Sequence, residues 1–223
     1  MDFMKWIASL DELLYEVTSW LLFFPLTLWR SAVRPIDTMH YAEHQLALPE
    51  TEQYGAALSP PLFLALALLI SHWLAAAMGH ADVIIANRHG MAGLINDDAS
   101  ELVVRLVVFA AFPIFAAARL VRRSGLPIDR ASLRLPFYAQ CYPTAVFALG
   151  LGVAMSLIQM TYVPAMLAGL VLIVVSIGTY LLVETRWFAT KLGIGYLRAY
   201  GAVMLGFFEG TALLVFVTFL LTR

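Results

Sequence analysis

Glu209 is the residue in this chain with the clearest capacity for chemistry. It lies nine residues into the apolar run from Tyr200 to Leu221, about 14 Å deep at a rise of about 1.5 Å per residue, near the middle of a bilayer core about 30 Å thick. A bare carboxylate at that depth must be protonated, paired or in contact with water. It reads either as a proton or cation site or as a neutral, hydrogen-bonded carboxyl that fixes helix packing. His72 lies twelve residues into an earlier apolar run, about 6 Å from the depth of Glu209 by the same arithmetic. A His72 to Glu209 hydrogen bond is therefore geometrically allowed, and a bond from His72 to a backbone carbonyl or serine at a helix contact is the plainer alternative. Gln140, with Tyr138, Tyr142 and Thr144, makes the start of a third apolar run polar, where these side chains line an entrance or anchor the interface. Gly206 and Gly210 bracket Glu209 in a small-xxx-small pair that lets another helix approach closely.

His40, Glu43 and His44 spell H-Y-A-E-H, which matches a zinc-protease spacing that places two imidazoles on one helical face. There is no soluble catalytic domain around these residues and no evident third ligand, so an exposed cytoplasmic helix is the stronger reading and no metal is expected. Walker loops, dinucleotide fingerprints, cysteine clusters and serine-nucleophile elbows are all missing from the sequence. With a formal net charge of −1 there is no polyanion footprint, and nucleic acid is not expected as a partner. No cofactor and no enzymatic activity are expected. The single cysteine, Cys141, excludes an internal disulfide.

The elements that must position these residues follow from hydropathy. Of the 223 residues 61% are hydrophobic and the mean hydropathy is +0.82, well above the apolar share of soluble domains. Five stretches are long enough to cross a bilayer: Pro61 to Met78, Leu102 to Val121, Phe137 to Ile158, Val163 to Val183 and Tyr200 to Leu221. The third and fourth come from one uncharged run of 49 residues, broken at Gln159, Thr161 and Pro164, which predicts a tight helical hairpin. Pro113 and Pro143 fall inside spans, where neighbouring helices satisfy the carbonyls they free. Arg122, Arg123, Arg130 and Arg134 crowd one loop and Arg186, Lys191 and Arg198 another. By the positive-inside rule this predicts five spans with the N-terminus in the cytoplasm and the C-terminus outside. The outer loop from Gly79 to Ser100 carries Arg88 and His89, and Asp98 with Glu101 has the spacing of a capping box.

Residues 1–58 form a separate region ahead of a transmembrane domain at 59–223. Phe3, Ile7, Leu10, Leu14, Val17 and Leu21 share one helical face, opposite Asp2, Lys5, Glu12 and Glu16. The polar face is mostly acidic, so packing on a partner helix competes evenly with binding to anionic lipid. Trp20 to Trp29, with Pro25 inside it, is too short to cross and reads as an interfacial or re-entrant segment. Asp37 to Leu48, ended by Pro49, reads as a short cytoplasmic helix.

The topology, together with Phe137-Tyr138-Ala139-Gln140-Cys141-Tyr142-Pro143 at the entry to the third span, resembles the Yip family of small polytopic membrane proteins, including bacterial members labelled permeases. The eukaryotic family's Asp-Leu-Tyr-Gly-Pro signature is absent. Only Ser59-Pro60-Pro61 stands near the equivalent place, so a small-GTPase partnership is not carried over. The resemblance implies a non-enzymatic helical bundle that organises membranes or partners. The expectation is thus an all-α integral membrane protein, at home in a bacterial inner membrane. It would act as a scaffold or accessory subunit through helix–helix assembly in a homo-oligomer or a larger membrane-protein complex. The alternative is a small oligomeric permease or channel with a proton- or cation-linked path at Glu209.

Overall fold

The computed structural model describes residues 2–78 and 98–222, with no strand among them. It is an all-α integral membrane fold. Seven helices follow in order: α1 Asp2–Val33, α2 Pro35–Leu46, α3 Pro60–Ala77, α4 Asp98–Arg123, α5 Arg130–Ile158, α6 Val163–Leu192 and α7 Tyr196–Thr222. The last five are long and apolar enough to cross a membrane. Most of the outer-loop reading, with Arg88 and His89, lies outside the described residues, as do the side chains of the Asp98 and Glu101 capping box.

Helix α5 is the hub, packing against α1, α2, α3, α4 and α6, while α7 closes the bundle against α4 and α6. Its start is set chemically. The Asp129 carboxylate accepts from the Ser132 backbone N–H at 2.7 Å while the Ser132 hydroxyl accepts from the Asp129 N–H at 3.1 Å, a reciprocal cap. These bonds hold the Asp129 carboxyl below its ordinary pKa. At the other end α5 turns at 159–162 into α6, and this pairing is close because glycine allows it. A Cβ on Gly169 would stand 2.7 Å from the Ala154 carbonyl oxygen and 2.8 Å from Ile158 Cγ1. A backbone oxygen cannot swing aside, so Gly169→Ala is expected to cost about 2 kcal/mol in a thermal melt in detergent. Gly178→Ala, into open space on the same helix, is expected to be neutral or slightly stabilising. Equal effects from the two would show that the hairpin is not held at that contact.

Two corrections concern element limits. Trp20 to Trp29 is not a separate re-entrant piece, because α1 runs unbroken through Pro25. A proline removes one N–H, and a single lost bond does not end a helix whose face Phe24, Thr27 and Ser31 is buried. The α2 helix starts two residues earlier than expected, with Pro35 at its first turn, where a missing N–H costs nothing.

The segment between α2 and α3 is stitched down by three hydrogen bonds, the first two of them buried. Leu58 N–H donates to Thr27 Oγ1 at 3.2 Å, Tyr142 Oη donates to the Leu58 carbonyl at 2.8 Å, and Arg30 donates to the Ala56 carbonyl at 2.8 Å. Tyr54 holds a left-handed backbone, φ 58°, kept in place by its N–H bond to the Gln45 side chain and the edge of the Tyr41 ring. Burial pushes the Tyr41 and Tyr54 phenols up from their ordinary pKa, so both stay neutral.

Candidate functional site

The register of the α5–α6 hairpin decides what stands together inside the bundle. Gly169 lies on Ala154, Gly150 on Ser176, and the Phe147 ring stacks on Tyr180 with centroids 4.8 Å apart. Thr144 Oγ1 donates to the Gln140 carbonyl at 2.8 Å. Gln140 lies one turn before Thr144 on α5, and Glu184 one turn after Tyr180 on α6. Gln140 is 0% exposed and Glu184 1%. Neither the two amide atoms of Gln140 nor the two carboxyl oxygens of Glu184 find a hydrogen-bond partner among the described residues. Buried polar groups are ordinarily paired, so Gln140 and Glu184 are the interior candidates for holding a proton or a polar ligand.

Apolar walls stand on both sides of these two residues. On one side Phe112 of α4, Phe147 of α5, Tyr180 of α6 and Phe207 of α7 meet ring to ring, with centroids 4.8 to 6.1 Å apart. On the other side lie Trp187, Phe188 and the α2 residue Met39, all fully buried. Helix α2 is pinned there by the H-Y-A-E-H residues. The His40 ring lies 4.9 Å from the Trp187 ring, and Glu43 pairs with Lys191 of α6, whose ammonium sits 4.6 Å over the same indole. The motif that spells a zinc site thus docks a helix through two of its members. No three His, Cys, Asp or Glu side chains among the described residues stand where they could hold a metal ion.

Glu209 lies elsewhere, on the face of α7 against α4. Both of its carboxylate oxygens accept from the Arg119 guanidinium, Nε at 3.0 Å and Nη2 at the other oxygen, a bidentate pair. The two small residues around it make the contact possible. A Cβ on Gly206 would stand 3.2 Å from Arg119 Cδ, and one on Gly210 would stand 2.8 Å from the Phe112 ring. The partner is therefore Arg119 and not His72. His72 is buried on α3, which packs on α5 and α4, whereas α7 packs on α4 and α6. The Glu209 side chain remains 45% exposed and Arg119 19%.

No family model, curated protein or solved structure matches this chain. The site is therefore read from its own geometry. Sequence reasoning singled out Gln140 but passed over Glu184 and Arg119. Glu184 follows directly on the uncharged run and reads as the first loop residue, yet α6 continues two further turns to Leu192 inside the bundle. Arg119 reads as one more positive-inside arginine. The available signal was an acid at mid-depth on one span and a cation one turn inside another, since charges within membranes pair.

Proposed function

We propose that the protein is a non-enzymatic membrane scaffold or accessory subunit that works by helix–helix assembly with itself or with other membrane proteins. The observation that carries this reading is the Arg119–Glu209 pair, whose carboxylate stands nearly half exposed within the span of α7. Lipid tails cannot solvate an ion pair, and intramembrane charges face protein or enclosed water almost without exception. The face of α7 that carries the pair therefore calls for a cover that the described residues do not supply. The apolar side of α1 points the same way, with Leu14, Val17 and Leu21 exposed. The Yip-like topology is in keeping with an organising rather than a catalytic role, and the arginine distribution with a bacterial inner membrane.

The test is native mass measurement of the full chain in mild detergent, with co-purifying chains identified. Expected is a stoichiometric assembly, either several copies or a complex, that weakens about tenfold when both charges are removed in R119L/E209L. A single-chain particle for the unaltered protein would overturn the proposal. A second reading, a small permease with a proton- or cation-linked path, is favoured by the enclosed Gln140 and Glu184 side chains rather than by Glu209, whose carboxylate Arg119 already occupies. It predicts ion flux in proteoliposomes that Glu184→Gln abolishes.

A further inference from the structure

We infer that the seam between α4 and α5 at the arginine-rich end of the bundle is a binding site for one anionic phospholipid. A cleft of about 380 Å³ opens there, lined by Ile114 and Ala117 of α4 and by Arg130, Leu133, Arg134, Phe137 and Tyr138 of α5. The lining is divided by depth as a lipid is. Ile114 lies nine residues before the end of α4 at Arg123, about 14 Å along the helix, at the level of the hydrocarbon. Arg130 and Arg134 occupy the first turns of α5, ahead of the apolar run that starts at Phe137, at the level of headgroups.

Both arginines are exposed, and neither pairs with a carboxylate among the described residues. The adjacent acid, Asp129, is committed to the helix cap. Arg134 lies over the Tyr138 ring at 5.9 Å, a contact that orients the guanidinium while leaving its charge intact. Two guanidiniums beside an apolar slot at the membrane boundary complement a phosphate diester with an acyl chain attached. A peptide or a soluble anion would use only half of that lining. This is a different surface from the α7 face of the proposed assembly, and it does not depend on that reading.

The experiment compares the full chain in nanodiscs of phosphatidylglycerol and of phosphatidylcholine, followed by native mass spectrometry of the lipid retained. Expected is one phosphatidylglycerol per chain in preference to phosphatidylcholine. Retention should fall about 30-fold in R130Q/R134Q and be unchanged in R122Q/R123Q, which neutralises the exposed arginines at the end of α4. Ile114→Trp keeps both cations but fills the slot, and it should also expel the lipid. Equal losses from the two arginine pairs would overturn the proposal in favour of diffuse attraction. Displacement by inorganic phosphate would overturn it in favour of a simple anion site, and retention unaffected by Ile114→Trp would remove the acyl slot from the account.

Discussion

Arg119→Gln is expected to lower the stability of the folded bundle by about 2 kcal/mol or more, because it strands the Glu209 carboxylate inside the membrane. The cost is asymmetric. In Glu209→Gln the remaining guanidinium stands one turn from the end of α4 and can extend toward the interface along its own aliphatic stem, so that variant should lose less. Reversing both charges, R119E/E209R, restores opposite signs across the Gly206 contact and should recover a good part of the loss, less whatever the bidentate geometry contributed. Thermal melts of the unaltered protein, both single variants and R119Q/E209Q in one detergent close the cycle, with the reversed pair measured beside it. Additive losses, with no recovery in the reversed pair, would mean that the two side chains do not stabilise each other. The contact seen between α4 and α7 would then be incidental to their packing.

The second large effect is expected at Glu184. A fully enclosed carboxyl whose two oxygens have no hydrogen-bond partner among the described residues is an energetic burden. Replacing a buried charge with a side chain of similar volume is often stabilising by about 1 to 4 kcal/mol. Glu184→Met should therefore raise the melting temperature, and Gln140→Leu should do so to a smaller degree, since an amide costs less to bury than a carboxyl. A stability gain coupled to loss of function would identify these residues as a site kept at the expense of the fold, a common relation between activity and stability. If Glu184→Met instead destabilises the protein as a core cavity does, the carboxyl is being held by something beside it. Repeating the melts across cation type and pH would then identify what holds it.

Hydropathy and charge spacing by themselves determined the class, the five spans and the hairpin between α5 and α6. These are properties of runs of residues, and crossing a bilayer makes the run length and its apolar content decisive. The N-terminal helix was legible as amphipathic for the same reason, although its passage through Pro25 was not, since a proline's effect depends on what the rest of the helix buries. Tertiary structure alone decided the partners. Nothing in the chain's periodicity distinguishes Arg119 from Arg122, yet one is bonded to Glu209 across 90 positions of sequence and the other is exposed. The helix approach that selects Arg119 is set by Gly206 and Gly210 against α4. Glu184 likewise reads as a loop residue until α2, docked through His40 and Glu43, covers the end of α6 and extends the buried core beyond the apolar run. Local pattern carries burial against lipid, which every span meets alike, whereas burial against protein depends on which faces of which helices come together.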